Sequence, residues 1–149
     1  MIKLGFKKLH ADAVLPKYAH IGDAGMDICA VDTVTLLDKT PVVVKTGLAA
    51  EIPDGYELQV RPRSGLACKG VTVWNSPGTI DSKYRGEIGV ILCYLKPTND
   101  YYAKDDFVIS KGDRIAQLVL APITSAEPFE VTELSETERG AGGFGSTGR

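Results

Sequence analysis

The residues best placed to do chemistry are Asp81 and Tyr84, a carboxylate and an aromatic three positions apart in Gly78-Thr-Ile-Asp-Ser-Lys-Tyr-Arg-Gly-Glu-Ile88. Apolar, β-prone runs flank them at residues 71–74 and 88–95, and the turn formers Pro77, Gly78, Asp81, Ser82 and Gly86 lie between. That pattern predicts a β-hairpin with a wide polar tip. Backbone groups that such a tip leaves unpaired must bond to water or to a ligand. The tip could therefore read a flat, polar, base-like molecule; alternatively it is a surface turn in which Asp81 caps its own backbone.

Four further groups could add chemistry. In Arg63-Ser64-Gly65, Ser64 reads as the N-cap of a short helix that stops at Gly70. Its free N–H groups, the close approach allowed by Gly65 and the Arg63 charge suit an anion; the alternative is a capped helix with a solvated arginine. Asp23 and Asp27 flank Gly25 and could hold a hydrated Mg²⁺, or each could bond to backbone N–H groups or to an arginine. Gln117 interrupts an apolar strand; if buried it must find a partner, and otherwise it lies on the wet face of that strand. The tail, Arg139-Gly-Ala-Gly-Gly-Phe-Gly-Ser-Thr-Gly-Arg149, matches the G-x-G-x-x-G pattern twice. It lacks the flanking strand and helix of a dinucleotide fold, and no lysine completes a P-loop. Too glycine-rich to order itself, it still carries Arg139, Phe144, Ser146 and Thr147, groups that suit phosphate and a base face. It reads as an arm that closes over a nucleotide, the alternative being a disordered terminus.

The elements that must position these groups are mostly strands. Strand patterns run over residues 2–9, 26–30, 33–37, 42–52, 56–60, 107–109, 114–121 and 129–134, besides the hairpin. With no long amphipathic helix and no repeat, they predict a single all-β sandwich or barrel, with one helical turn or two after residue 63 and another near 135–138. At 149 residues the chain can bury a real core. Its net charge of −2 argues against non-specific nucleic-acid or membrane adhesion. No apolar run is long enough to span a bilayer, and the N-terminus has no signal-peptide pattern. Cys29, Cys68 and Cys93 are odd in number and set in apolar sequence, so we expect buried free thiols in a reducing, cytoplasmic compartment. A zinc site from His10, His20 and Cys29 lacks any recognised ligand spacing.

Five segments together resemble the ordered motifs of the trimeric dUTP diphosphatases: Ala24-Gly-Met-Asp-Ile28, Pro62-Arg-Ser-Gly-Leu-Ala67, Asn75-Ser-Pro-Gly-Thr-Ile-Asp81 with Tyr84-Arg-Gly86, Gly112-Asp-Arg-Ile-Ala-Gln-Leu118, and the tail. The resemblance covers nearly the whole chain. It implies an all-β, jelly-roll-like barrel or sandwich over residues 1–138, a mobile arm over 139–149, and a homotrimer with shared active sites. It also implies hydrolysis of dUTP to dUMP and pyrophosphate with Mg²⁺, which limits uracil in DNA and supplies dUMP for dTMP synthesis. By matching positions, Asp81 corresponds to the carboxylate that engages the attacking water, and Tyr84 to the aromatic under the deoxyribose. The backbone of Gly78, Thr79, Ile80 and Gly89, with Asn75 beside it, corresponds to the uracil reader. Arg63, Ser64, Gly65 and Gln117 correspond to phosphate ligands. Phe144 would cover the base, with Arg139, Gly145, Ser146 and Thr147 near the γ-phosphate. Asp27 would meet the metal through water or support the fold, the triphosphate holding most of the Mg²⁺. Two rivals are a dCTP deaminase on the same fold, which needs a carboxylate beside the cytosine ring and has no such arm, and a non-catalytic nucleotide-binding module.

Overall fold

Alternation of buried and exposed side chains, the pattern that marks half-buried strands, recurs through the computed structural model, which describes residues 2–98 and 104–143. Among the described residues eleven strands and one helix follow in order: β1 (Gly5–Lys8), β2 (Met26–Cys29), β3 (Val34–Leu37), β4 (Val42–Lys45), β5 (Leu48–Glu51), β6 (Tyr56–Arg61), α1 (Ser64–Ala67), β7 (Val71–Val73), β8 (Gly78–Ile80), β9 (Gly89–Tyr94), β10 (Asp106–Ile109) and β11 (Arg114–Pro122). They pair antiparallel in four small sheets, ordered β2-β11-β6-β8, β4-β9-β7, β1-β5 and β10-β3. The inward residues form one core: Ile28, Leu58 and Leu118 from the first sheet, Val44, Val90 and Leu92 from the second, with Leu36, Leu48 and Ile109 from the other two. Burying each such side chain contributes roughly 1.5–3 kcal/mol. The result is the expected nearly all-β, jelly-roll-like fold.

Five local expectations are corrected. Residues 42–52 are two strands, because Thr46 and Gly47 break them and Gly47 takes φ +66°, a left-handed conformation that side chains resist. The hairpin is real at its base, where Val71 pairs with Tyr94 and Val73 with Leu92. Its tip, however, contains β8, which crosses to another sheet and pairs with β6. Ser64 is the first helical residue and not the cap: Arg63 takes the extended N-cap conformation, and no side chain caps the helix. Residues 129–134 form no strand, and Phe129 and Leu134 stand 82% and 87% exposed. Apolar alternation predicts a strand only where a ladder partner exists, and among the described residues none pairs with that segment. The last turn lies at 138–141, not at 135–138.

Candidate active site

One group of predicted residues gathers on the outer face of the four-stranded sheet. A bulge shifts the β11 register between Arg114 and Ala116, so Arg114 lies opposite Cys29 while Gln117 lies opposite Asp27. Without that extra residue Arg114 would share the inward face of Ala116 and Leu118; bulges commonly re-aim a side chain in this way. Arg114 Nη1 donates to Asp27 Oδ2 at 3.2 Å. Arg63 Nε donates to Asp27 Oδ1 at 2.7 Å, and its Nη1 to the Arg114 carbonyl at 3.3 Å. Gln117 Nε2 donates to the Pro62 carbonyl at 2.9 Å. Gly25 packs so closely on Gln117 that a Cβ there would collide with the amide oxygen. Beside this network α1 begins, with the space above Gly65 open and the Ser64 hydroxyl free of capping duty. The first N–H groups of a helix have no intrahelical partner, so this corner is equipped to hold an anion.

Both aspartates suspected of metal binding are occupied otherwise. Asp27 spans the two arginines, and Asp23 accepts the His20 backbone N–H at 2.8 Å. Among the described residues no group of three His, Cys, Asp or Glu side chains could hold a metal, so neither a zinc site nor a protein-built Mg²⁺ cage is present there. A Mg²⁺ that keeps most of its waters and is held by phosphate oxygens would need few protein ligands, which is compatible with that absence.

The second group surrounds a cavity of about 180 Å³ lined by Thr79, Ile80, Asp81, Tyr84, Glu87, Ile88 and Gly89. Its outgoing wall is β8, and its return wall is the segment leading into β9. Asn75 sits beside Gly78, where a Cβ would meet the Asn75 amide at 3.2 Å and Val60 at 3.3 Å. The Tyr84 N–H donates to the Asp81 carbonyl at 3.0 Å, and the Tyr84 hydroxyl to the Glu87 carbonyl at 3.1 Å. Arg85 Nη1 donates to the Ser82 and Tyr84 carbonyls. Asp81 itself is exposed at the rim. Sequence reasoning passed over Arg114, which only the bulge brings to this face, and Glu87, whose carboxylate accepts the Gly47 N–H at 2.9 Å.

The two groups are not brought together within one chain. Ile80 lies opposite Leu58, and Arg63 follows five residues later. Asp81 lies one position further from Arg63 than Ile80 does, so at about 3.3 Å per strand residue the two are separated by roughly 20 Å along the sheet. Arg139 bonds locally, Nε to the Gly142 carbonyl at 2.9 Å. Phe144, Gly145, Ser146 and Thr147 lie outside the described residues. A larger cleft of about 400 Å³ over β1 and β5, lined by Phe6, Ala49 and Arg85 among others, holds no predicted site residue.

An edge strand and its return loop enclosing a small polar cavity with a carboxylate at the rim, together with a separate arginine–helix corner for an anion, define a β-rich nucleotide-binding protein. The dUTPase family model matches residues 11–148. The deoxyuridine 5'-triphosphate nucleotidohydrolase of a Picosynechococcus species is 53% identical over 142 residues, 95% of each chain. That of a Hydrogenobaculum species is 53% identical over 149 residues, 99% of each. A mutant dUTPase of Staphylococcus bacteriophage 80alpha, solved with dUpNHpp, superposes with a TM-score of 0.88 at 32% identity over 100% of both chains. A mutant dUTPase of phage phi11 of S. aureus, described with a structural Mg(II) ion, superposes at 0.77 with 30% identity, covering 89% of this chain and 98% of the other. This chain belongs to the dUTPase family.

Proposed function

We infer that this chain is a dUTP diphosphatase, hydrolysing dUTP to dUMP and pyrophosphate. The observation that carries the residue assignment is the cavity between β8 and the return segment, with Asp81 at its rim. In this proposal the backbone of Gly78, Thr79, Ile80 and Gly89, with Asn75 alongside, meets uracil. Tyr84 packs under the deoxyribose and leaves no room for a 2′-hydroxyl. Asp81 orients and polarises the water that attacks the α-phosphorus. Arg63, Ser64, Gly65 and Gln117 take phosphate oxygens, and residues 139–149 close over the site, Phe144 on the base and Arg139, Gly145, Ser146 and Thr147 near the γ-phosphate. A Mg²⁺ carried on the triphosphate would neutralise charge on the departing pyrophosphate, with Asp27 reaching it at most through water. Catalysis of this kind rests on positioning and charge stabilisation.

The assembly is part of the proposal. Two half-sites lying apart in one chain, and the exposed Phe129, Val131 and Leu134, support a homotrimer in which each site is shared. Three free cysteines support residence in the cytoplasm.

Hydrolysis of dUTP, dTTP, UTP and dCTP measured side by side with Mg²⁺ tests the activity. Pyrophosphate is expected from dUTP far faster than from the rest, and ammonia released from dCTP would favour the deaminase instead. Asp81→Asn tests the mechanism. It should fold and bind dUTP while single-turnover hydrolysis falls at least about a hundredfold, as when a well-placed polar group is removed from a reacting centre. Near-normal single turnover would remove Asp81 from its role.

A further inference from the structure

Thr46 is the one buried polar or charged side chain among the described residues, 1% exposed, and it lies in the break between β4 and β5. A valine would fill the same volume without a hydroxyl that needs partners. Here the hydroxyl is used across the molecule. Thr46 Oγ1 donates to the Ile88 carbonyl at 2.6 Å and accepts the Leu48 N–H at 3.3 Å. The Ile88 N–H donates to the Leu48 carbonyl at 2.7 Å. One position earlier, the Glu87 carboxylate accepts the Gly47 N–H at 2.9 Å. Residues 46–48 therefore grip residues 87–88, which form the return wall of the cavity and carry the carbonyl that holds the Tyr84 hydroxyl.

The grip is itself braced. The Gly47 carbonyl accepts the Leu9 N–H at 2.8 Å, and a Cβ on Gly47 would meet His10 at 2.8 Å and Ala13 at 3.0 Å. The left-handed φ of Gly47 turns the chain sharply enough to present its N–H to Glu87 while Thr46 faces the core. The opposite wall, β8, is fixed by its ladder to β6. The return wall between residues 86 and 88 has no ladder of its own, so its distance from β8 depends on this clamp.

We propose that Thr46 and Glu87 are positioning residues that set the width of the base cavity and so the discrimination between pyrimidine bases. Neither touches the reacting phosphorus. The proposal rests on the reading that this cavity receives uracil. Base contacts are present in both the ground and transition states, so a displaced wall should weaken binding uniformly, raising KM and sparing kcat. A site that reads polar edges loses selectivity when its donors and acceptors shift.

The test is Thr46→Val beside Thr46→Ser, with Glu87→Ala beside Glu87→Gln, whose amide oxygen can still accept from Gly47. Thr46→Val and Glu87→Ala are expected to raise KM for dUTP about tenfold and cut the preference for dUTP over dCTP about tenfold, with kcat within about twofold; Thr46→Ser and Glu87→Gln are expected to stay near the parent. A lower melting temperature with unchanged KM and unchanged preference would make the clamp merely structural and overturn the proposal. Should Thr46→Val fail to fold, the Glu87 pair decides by the same criteria. Titration with dUMP, followed by amide NMR, separates this inference from the reading beneath it. If the Ile88 and Gly89 amides of the parent do not move, the cavity is not the base site. If they move equally in parent and Thr46→Val, the inference about the clamp alone fails.

Discussion

Asp27 is held between two guanidinium groups with its side chain only 18% exposed, so its loss belongs to stability before catalysis. Asp27→Ala leaves Arg63 and Arg114 facing each other without a carboxylate, and should cost about 1–3 kcal/mol, read as an earlier urea midpoint. Raising Mg²⁺ should not restore the variant; restoration would make Asp27 a metal-linked residue instead. The same neighbourhood governs a thiol. Burial raises the Cys29 pKa above its ordinary value, with the Asp27 carboxylate adding to the shift, and burial likewise raises that of Cys93. A raised pKa keeps the unreactive thiol form at neutral pH. Cys68 is different, since it is exposed beside a helix that buries no residue; with Cys29 only partly buried, the expectation of three buried thiols holds in full for Cys93 alone. A colorimetric thiol assay near pH 8 should therefore find one fast cysteine per chain, and Cys68→Ser should abolish that phase.

At the scale of elements, the described start of the tail bonds only to its own neighbours. Over residues 139–143 the recorded bonds are local, Gly140 N–H to the Thr137 carbonyl and Gly142 N–H to the Arg139 carbonyl. Deleting residues 140–149 should leave the urea midpoint unchanged while dUTP turnover is largely lost; unchanged turnover would reduce the arm to a terminus. Strands whose apolar periodicity meets a partner, such as Leu58 and Val60 of β6 or Val90 and Leu92 of β9, were legible from sequence. What escaped depended on distant chain. Nothing local in Gly78-Thr-Ile80 says that it will pair with β6 and not stay in its own hairpin. Nothing in Ile115 announces a bulge that turns Arg114 toward Asp27. Thr46 is a single hydroxyl inside a β-branched run, and its meaning comes from Ile88, 42 residues away. Motif residues were easier to find because chemistry restricts residue type and spacing together, whereas supporting residues need only reach the right backbone group.

At the scale of the whole molecule, the separation of Asp81 from Arg63 along the four-stranded sheet makes a definite demand on assembly. Under the proposed assignment, a complete site takes the cavity of one chain and the arginine corner, the arm or both from others. Closed rotational symmetry repeats the same shared site at every interface. Equilibrium sedimentation should accordingly give a mass three times that of the chain at concentrations where the enzyme is active. A stricter test mixes two inactive proteins, Asp81→Asn with an intact arm and a chain truncated after residue 139 with Asp81 intact. If cavity and arm come from different chains, random exchange in denaturant followed by refolding makes about a quarter of the sites whole, since each needs an unmutated cavity from one type and an arm from the other. If each chain closes its own site, every site in the mixture lacks one part and no activity returns. Recovery near a quarter of the parent rate therefore requires sharing between chains, and its absence in a mixture shown to contain hybrids by native mass spectrometry would confine the active site to a single chain.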